Sequence, residues 1–440
     1  MISQGQRIAI LGAGASGLAA ARLAVAGGAA WVGVYDSGDP EKLAPTGETL
    51  QAEGIVCVFG DEALTAPADL DLVVVSPGID VSWPIAQAFS GTGAPLVGEI
   101  EYAWQHCDCP VVGITGTNGK TTTTELTAAV LEAGGLHTVA SGNYGLAFSE
   151  VIRSGEKFDV ITLEISSFQL ETITTFRPKV AVWMNFAPDH LDRYASIDDY
   201  RAAKLRIFEN QTAEDFAVIN AAESPGEFAA QTTGFSAFGT PADFDFVEGW
   251  IRFGGEPLLE FSTVKLHGKH NAENVMAALA AAKCLGVNLD GVLETIRQYE
   301  PPHHRCEPVG IVNGSLFIND SKATNLHALA SSLRGQESPV VLIVGGKEKG
   351  LDFSEITSLL PGAVDHAICI GEIGQRIANL WSDTVSCEIA GSLEEATRMA
   401  AAAAQPGQTV LFSPGTSSFD MFSGYAERGD VFRRAVESLT

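Results

Sequence analysis

The feature that most constrains the fold is a glycine-rich loop between an apolar strand and a helix. The strand pattern covers residues 111–114, the loop contains Gly116 and Gly119, and residues 125–131 have a helix-like pattern. Glycines let the backbone turn tightly and aim its N–H groups at phosphate oxygens, and a helix N-terminus adds a partial positive charge. The segment therefore predicts an α/β domain that binds a phosphate group.

Side chains in this loop add the groups that a bound nucleoside triphosphate requires. Lys120 can reach the β- and γ-phosphates, and the Thr121 hydroxyl can hold Mg²⁺. Ile114 stands where the strict consensus has its first glycine, so a glycine-rich turn with a stray lysine is the alternative. The strand–loop–helix context favours the phosphate loop. The predicted ATP-binding residues of the loop are Gly116, Thr117, Asn118, Gly119, Lys120, Thr121 and Thr122.

Elsewhere strands alternate with helices throughout, which predicts α/β domains with largely parallel sheets. A chain of 440 residues is too long for one core, and roughly 150 residues per domain suggests about three domains. The first unit closes near Glu101, and Pro301 and Pro302 end the second. We predict a Rossmann-like domain at 1–101, a central phosphate-loop ATPase-type domain at 102–302 and a Rossmann-like α/β domain at 303–440.

Composition and charge narrow the classes of partner. The net charge is −27, whereas a nucleic-acid binder usually carries a basic surface, so we expect no nucleic acid. No apolar run reaches the roughly 20 residues that span a bilayer, and the start lacks the pattern of a signal peptide. Seven scattered cysteines do not indicate a disulfide framework, and the run His106-Cys107-Asp108-Cys109 lacks a second cluster to complete a metal site. We expect a cytoplasmic monomer that binds small molecules and does not enter a membrane.

Three further side chains are candidates for chemistry, each with a structural alternative. Glu164 ends a strand near the phosphate loop, where a carboxylate can hold Mg²⁺, although a solvated edge carboxylate is the alternative. A histidine such as His190 is more often structural, but its place beside Asp189 after the next strand favours a metal or phosphate role. Lys204 lies in a helical stretch, where a lysine usually faces solvent.

The loop sequence Thr-Gly-Thr-Asn-Gly-Lys-Thr-Thr resembles the ATP loop of the Mur ligase family, and further separated motifs match that family in order over nearly the whole chain. The resemblance implies an ATP-dependent ligase that acts through an acyl phosphate in peptidoglycan precursor synthesis. The run from Asn319 to Asn325 is similar to the branch that adds D-glutamate to UDP-N-acetylmuramoyl-L-alanine. The implied cofactors are ATP, two Mg²⁺ ions and CO₂, the last as a carbamate on Lys204.

The resemblance also implies roles for single residues in the nucleotide and metal sites. Glu164 would hold the first Mg²⁺ with Thr121, His190 would bind the second, and carbamylated Lys204 would act as a carboxylate-like ligand that must be buried near the metals. The implied adenine, ribose and phosphate contacts are Asn271, Asn274, His304, Arg305 and Asp320, and His303 is an additional histidine before His304. The implied catalytic residues are Lys120, Lys204, His190 and Lys322.

Two further groups of residues would bind the substrates if the resemblance holds. Thr324 and Lys349 would contact the α-carboxylate of glutamate. The loop after the last strand departs from the family pattern at residues 415–417, so the second carboxylate would depend on Ser418, Phe419 and Tyr425. In the first domain the family holds the UDP group, which implies contacts from Ala13, Asp36, Ser37, Ser76, Pro77, Gly78 and Asn143.

Alternatives remain open. The run Gly12-Ala13-Gly14-Ala15-Ser16-Gly17 follows a strand, and Asp36 stands about 20 residues further on, so in isolation this run predicts dinucleotide binding and a nicotinamide-dependent oxidoreductase. That function would leave Lys120, Glu164 and Lys204 without a role. A related ligase that adds L-glutamate, or a nucleotide-sensing module without catalysis, would keep the phosphate loop.

Overall fold

The structure of the chain is a computed structural model, and it describes residues 3–189, 193–223, 225–300, 303–336 and 338–439. Two compact units contain these residues. The first unit comprises those within 1–186, 198–261 and 273–297, and the second comprises those within 187–197, 262–272 and 298–440. Within the described parts of the chain, no helix is both long enough and apolar enough to cross a bilayer.

The first sheet of the first unit is wholly parallel, with the strand order β3-β2-β1-β4-β5. Its strands are β1 (Arg7–Leu11), β2 (Trp31–Asp36), β3 (Val56–Phe59), β4 (Leu72–Val75) and β5 (Leu96–Gly98). The helices of this part are α1 (Ala15–Ala26), α2 (Pro40–Ala52), α3 (Pro84–Ser90) and α4 (Glu99–Trp104). The strand order reverses between β1 and β4, which opens a crevice at their carboxyl ends.

The second sheet has the order β14-β13-β12-β11-β10-β9-β6-β8-β7. Its strands are β6 (Val111–Thr115), β7 (Thr138–Gly142), β8 (Val160–Glu164), β9 (Val180–Trp183), β10 (Phe216–Asn220), β11 (Gln231–Ser236), β12 (Phe244–Val247), β13 (Trp250–Phe253) and β14 (Glu256–Glu260). The accompanying helices are α5 (Lys120–Ala133), α6 (Phe148–Arg153), α7 (Ser167–Leu170), α8 (Ile197–Leu205), α9 (Lys269–Cys284) and α10 (Leu293–Gln298). Strands β6, β8 and β9 are buried on both faces, as parallel strands covered by helices are.

The end of this sheet departs from the predicted alternation of strands and helices. Strands β12, β13 and β14 pair antiparallel. Two tight turns join them, Glu248-Gly249 and Gly254-Gly255, and all four residues have positive φ. Such two-residue turns match the twist of a hairpin, and their Glu-Gly and Gly-Gly signals were available in the sequence. The last strand, β14, stands at the sheet edge and contains Pro257.

The third sheet lies in the second unit and has the order β15-β16-β20-β17-β18-β19, antiparallel only between β15 and β16. Its strands are β15 (Glu307–Val312), β16 (Ser315–Asn319), β17 (Val340–Gly345), β18 (Val364–Ile370), β19 (Ser386–Ile389) and β20 (Thr409–Phe412). Its helices are α11 (Leu326–Arg334), α12 (Ser354–Thr357), α13 (Gly374–Trp381), α14 (Leu393–Ala403) and α15 (Tyr425–Glu437). The predicted α/β class with mainly parallel sheets is confirmed.

A buried carboxylate joins α4 to the second sheet within the first unit. Glu101 is fully buried and accepts hydrogen bonds from the N–H groups of Thr174, Thr175 and Phe176 at 2.9 to 3.0 Å. The hydroxyls of Thr174 and Thr175 donate to it as well, at 2.8 and 2.5 Å. Burial alone would raise the pKa of Glu101, but these hydrogen bonds outweigh it and lower the pKa.

Glu101→Ala should therefore destabilise the protein more than an ordinary surface substitution. Three backbone N–H groups would lose their acceptor in a buried place, which we expect to lower the free energy of unfolding by about 3 kcal/mol or more. Urea unfolding followed by tryptophan fluorescence measures this. The exposed Glu48→Ala on α2 is the control, and equal midpoints for the two variants would contradict the expectation.

Candidate functional site

The loop between β6 and α5 is a tight turn that two glycines make possible. Gly116 has a φ of 154° and Gly119 a φ of 82°, which L side chains rarely adopt. A Cβ at Gly119 would lie 2.4 Å from Oδ1 of Asn274, so the space excludes a side chain too. Helix α5 begins at Lys120, earlier than the predicted start near residue 125. The loop therefore leads an anion directly to the positive end of a helix.

Asn185, which follows β9, holds this loop. The N–H of Thr117 donates to the backbone carbonyl of Asn185 at 2.9 Å, and the N–H of Asn118 donates to its side-chain oxygen at 2.8 Å. The Asn185 amide in turn donates to the Asn118 carbonyl at 3.0 Å. The sequence pattern did not single out Asn185. Its position at the carboxyl end of a strand neighbouring the phosphate loop was the available signal.

Two lysine amines converge on one carbonyl oxygen in the loop. Lys120 Nζ donates to the carbonyls of Gly116 and Thr117, each at 2.9 Å, and Lys204 Nζ donates to the same Gly116 carbonyl at 2.8 Å. Lys204 is only 2% exposed, and its amine lies 4.7 Å from the ring centroid of Tyr200. Lys204 therefore does not lie on a solvated face, which is the usual place of a lysine in a helix.

Strand β8 brings a carboxylate to the start of α5. Glu164 is 3% exposed and accepts hydrogen bonds from the Thr121 hydroxyl at 2.6 Å and from the Asn143 amide at 2.9 Å. Mg²⁺ takes hard oxygen ligands, usually one or two carboxylates together with waters and substrate phosphates. The carboxylate and hydroxyl side by side fit such an ion beside the phosphate loop.

The second predicted metal ligand, His190, lies outside the described residues. Its neighbour Asp189 is described, and in the second unit it accepts a hydrogen bond from the Asn325 amide at 3.0 Å. Among the described residues, no group of three or more His, Cys, Asp or Glu side chains gathers as a metal site. Mg²⁺ in proteins commonly completes its coordination with phosphate oxygens and water.

Helix α9 carries both asparagines that were predicted to contact adenine. Asn274 Oδ1 accepts a hydrogen bond from the Thr123 hydroxyl at 3.3 Å, which places it against the first turns of α5. Asn271 Nδ2 donates to the carbonyl of His267 at 2.8 Å and so closes the turn before the helix. Asn274 thus lies beside the phosphate loop, while Asn271 stabilises the turn at the start of α9.

Glu273, between these asparagines, was not predicted. It is 7% exposed, and burial raises the pKa of its carboxyl to about 7. The N–H of Ala237, which donates to it at 3.2 Å, and the Asn220 side chain offset this only in part. The nearby charge of Glu223 adds to the rise, and burial raises the pKa of Glu223 as well.

The turn after β1 shows why its glycines are required. Gly12 has a φ of 97°, and a Cβ at Gly17 would lie 1.9 Å from the Gly12 carbonyl oxygen. Asp36 bridges the turn, because its carboxylate accepts from the N–H groups of Ala13 and Gly38, each at 2.8 Å. Ser76, at the end of β4, donates to the Gly12 carbonyl at 3.5 Å. The structure therefore brings Ala13, Asp36 and Ser76 together, with Ser37, Pro77 and Gly78 following directly in the chain.

In the second unit, the loop after β16 starts with a buried carboxylate. Asp320 is 4% exposed and accepts from the hydroxyls of Ser332 at 2.5 Å and Ser413 at 2.9 Å, and from the N–H of Cys306 at 3.2 Å. Burial raises the pKa of Asp320, although these bonds act in the opposite direction. Asp320 thereby links the loops that follow β16 and β20.

His304 and Lys322 lie beside the same loop. The carbonyl of His304 accepts the N–H of Lys322 at 3.0 Å, and its Nδ1 lies 3.0 Å from the Asn319 amide nitrogen. Burial lowers the pKa of His304, which favours the neutral ring that accepts this hydrogen bond. The Lys322 amine lies 3.8 Å from the ring centroid of Tyr425. Arg305, directly after His304, is half-buried.

Arg428 holds the loops that carry the predicted amino-acid contacts, and no motif singled it out. It is 1% exposed and donates to the carbonyls of Thr416 and Ser321 and to the Ser321 hydroxyl, at 2.8 to 3.1 Å. Burial lowers the pKa of Arg428 to about 10, although the charges of Asp420 and Asp320 act to raise this pKa. Its place one helical turn after Tyr425 was the available signal.

The remaining predicted residues of the second unit lie after strands that share one edge of the third sheet. Ser418 is buried, whereas the neighbouring Phe419 is 68% exposed. Thr324, before α11, and Lys349, after β17, are both half-buried. The carboxyl ends of β16, β17 and β20 therefore gather these residues at a single sheet edge.

Three known domain families match the chain in succession. The Mur ligase MurD-like N-terminal domain matches residues 6–98, the Mur ligase middle domain matches residues 114–282, and the Mur ligase glutamate ligase domain matches residues 304–415. The second of these matches contains the phosphate loop, Glu164 and Lys204. The third contains Asp320, Lys322 and Lys349.

Curated relatives match over almost their full length. The UDP-N-acetylmuramoylalanine--D-glutamate ligase of Geotalea uraniireducens is 40% identical over an alignment of 443 positions, which covers 99% of this chain and 98% of the relative. The protein of the same name from Acidobacterium capsulatum is 38% identical over 445 residues, with 98% of this chain and 96% of the relative covered.

Solved structures share the fold at lower identity. The UDP-N-acetylmuramate-alanine ligase MurC of Thermotoga maritima aligns with a TM-score of 0.62 and 20% identity, over 99% of this chain and 100% of that one. A pseudomurein peptide ligase type C from Methanothermus fervidus gives a TM-score of 0.63 at 19% identity, with the same coverage. These structures support the fold of the chain.

The raised pKa of Glu273 predicts a pH-dependent change in stability. A carboxyl whose pKa is higher in the folded than in the unfolded state stabilises the fold at a pH below its unfolded-state pKa. This contribution is lost as the pH rises through the folded-state pKa. We expect wild-type stability to fall between the ordinary glutamate value of 4.5 and about 7. Glu273→Gln should remove this component and be more stable than wild type above that range, by on the order of 3 kcal/mol.

Urea unfolding at a series of pH values tests this prediction. The exposed Glu41→Gln on α2 is the matched control, since it removes a carboxylate that faces solvent. A constant difference between Glu273→Gln and wild type across the series would show that the carboxyl does not titrate in that window.

Proposed function

The chain belongs to the Mur ligase family, and we propose that it joins D-glutamate to UDP-N-acetylmuramoyl-L-alanine with the cleavage of ATP. Eight relatives that carry the name of this activity are 37% to 40% identical to it over nearly their whole length. The product of such a ligase is a peptidoglycan precursor.

The single observation that carries the proposal is the group of side chains at the start of α5. Lys120 and Lys204 both lie on the Gly116 carbonyl, and the Thr121 hydroxyl contacts Glu164. These groups suit a triphosphate whose charge must be offset during phosphoryl transfer. A nicotinamide-dependent oxidoreductase would use the glycine turn after β1 but would give these four side chains no role.

The reaction then has two steps. The terminal carboxylate of the L-alanyl group attacks the γ-phosphorus of ATP, which forms an acyl phosphate and releases ADP. The amine of D-glutamate next attacks the acyl carbon, loses a proton, and displaces inorganic phosphate to leave an amide. Lys120, Lys322 and Arg305 would offset the charge of the transferring phosphoryl group, and Asn271, Asn274, His304 and Asp320 would position the nucleoside.

Substrate binding follows the three sheets. We assign the UDP group to the turn after β1, where the Ala13 N–H donates to Asp36 and the Ser76 hydroxyl donates to the Gly12 carbonyl, and to Asn143 beside Glu164. We assign D-glutamate to the edge of the third sheet. Its α-carboxylate would meet Thr324 and Lys349, and its side-chain carboxylate would meet Ser418, Phe419 and Tyr425, on loops that Arg428 keeps in place.

Two Mg²⁺ ions and a carbamate on Lys204 complete the proposal. Glu164 and Thr121 would hold one ion, and His190 would hold the other. A bound Mg²⁺ neutralises phosphate charge and polarises the γ-phosphoryl group. Carbamylation would change Lys204 from a cation into an anion next to Lys120, which removes the repulsion between two amines on one carbonyl oxygen.

The remaining features of the proposal concern organisation. We retain domain boundaries at 1–101, 102–302 and 303–440, a cytoplasmic location and a monomeric state. Nucleotide sugars and ATP are cytoplasmic substrates, which is the physical reason for that location.

The first prediction of the proposal concerns ADP release. ADP should form only when UDP-N-acetylmuramoyl-L-alanine and D-glutamate are both present, with L-glutamate as the stereochemical control. Lys120→Ala should lower the rate by at least about 1,000-fold, because a cation that meets the transition state is lost. The matched control is Lys42→Ala, since that side chain is 85% exposed. ADP release that does not depend on both substrates would refute the ligase assignment.

The second prediction concerns Lys204. After exchange into ¹³C-bicarbonate, the wild-type protein should show a carbamate carbon signal by NMR that disappears in Lys204→Arg, since arginine keeps the charge but does not form the carbamate. The same variant should lose activity by on the order of 100-fold. An identical carbon signal in wild type and Lys204→Arg would place the carbamate elsewhere.

A further inference from the structure

The segment that joins α4 to β6 contains two thiols in contact. Cys107 Sγ lies 3.7 Å from Cys109 Sγ and 3.4 Å from the carbonyl oxygen of Cys109. Both cysteines are half-buried and pack against the core beneath the second sheet. The six residues from 105 to 110 belong to neither a helix nor a strand, so the backbone between the two sulfurs is not fixed by a ladder of hydrogen bonds.

The neighbouring side chains do not turn this pair into a metal site. Both ring nitrogens of His106 are engaged, Nδ1 with the Tyr102 carbonyl and Nε2 with the Ser3 hydroxyl, each at 2.9 Å. Asp108 is paired with Lys157 at 2.6 Å. In the part of the chain that the structure describes, no third His, Cys, Asp or Glu joins the two sulfurs.

We propose that Cys107 and Cys109 are a modification site, a dithiol that small-molecule disulfides convert into a Cys107–Cys109 disulfide. A disulfide needs sulfurs about 2.05 Å apart, and cysteines in contact can reach this by rotation of their side chains. Neither thiol belongs to the groups assigned to the ligase reaction, so this site is independent of the proposed function.

The environment indicates which thiol reacts first. The hydrogen bond with Cys109 lowers the pKa of Cys107 in spite of burial, and the Lys157 charge acts in the same direction. The same contact raises the pKa of Cys109. The Cys107 thiolate would attack one sulfur of the small disulfide and release one thiol. Cys109 would then attack the Cys107 sulfur and release the second thiol, so two cysteines are oxidised and one disulfide is reduced.

A second cysteine pair in the protein provides a comparison. Cys369 on β18 lies close enough to Cys387 on the neighbouring β19 for their thiols to interact. Cys369 is fully buried in the core of the second unit, so a dissolved disulfide cannot reach it without unfolding. We therefore expect oxidation of the folded protein to be selective for the first pair.

The test uses full-length protein incubated with oxidised glutathione, followed by thiol titration, intact mass and peptide mapping. Thiols that are titrated after denaturation should fall from seven to five, with the loss of two hydrogens mapped to the peptide that contains Cys107 and Cys109. Cys109→Ser should retain glutathione on Cys107 as a stable mixed disulfide. Cys107→Ser should likewise retain glutathione, on Cys109, because the contact that raises the pKa of Cys109 is lost with Cys107. The control Cys369→Ser should behave as wild type.

Three results would overturn the proposal. They are an unchanged thiol count, a mapped disulfide between Cys369 and Cys387, and the lack of a stable mixed disulfide in both Cys107→Ser and Cys109→Ser. The mapping on wild-type protein decides the first two even if a serine variant does not fold. Circular dichroism of each variant establishes whether the third comparison is made between folded proteins.

Discussion

Two lysine amines on a single carbonyl oxygen, one buried and one half-buried, are the constraint on which the phosphate loop depends. Like charges so close repel by a few kcal/mol even at an intermediate dielectric constant. The arrangement of Lys120 and Lys204 on Gly116 is sustained only because the surrounding backbone is fixed. The left-handed turn at Gly119 and the three hydrogen bonds of Asn185 provide this fixation. The unmodified amines of Lys120 and Lys204 thus share one acceptor in this structure, and the carbamate proposed for Lys204 would relieve their repulsion.

Buried carboxylates serve opposite purposes in different parts of the chain. Glu101 and Glu273 are similarly buried, yet the pKa of the first is lowered and that of the second is raised. The difference lies in the number of donors, because three N–H groups and two hydroxyls meet Glu101, whereas Glu273 has fewer partners and a second carboxyl nearby. The first is an anion at the junction of α4 with the second sheet, and the pKa of the second is raised to about 7 on helix α9.

Features that depend on residues close together in the sequence could be predicted from it. The glycine turn after β1 and the phosphate loop after β6 could both be predicted, since positive φ and close approach restrict those positions to glycine. The burial of Lys204 followed only from the family resemblance, because a helical lysine says nothing by itself about its surroundings. Asn185 and Arg428 escaped prediction, since their partners lie far away in sequence and meet them only after the sheets have formed.

The edge strand of the nine-stranded sheet has features that oppose aggregation. An open strand edge displays unpaired N–H and C=O groups, and a flat one invites another chain to add a strand. Here β14 contains Pro257, which has no N–H to offer, and is flanked by the charged Glu256 and Glu260. The pairing irregularity beside Arg252 also twists this border. The composition of β14 therefore opposes growth of the sheet by addition of a strand from another chain.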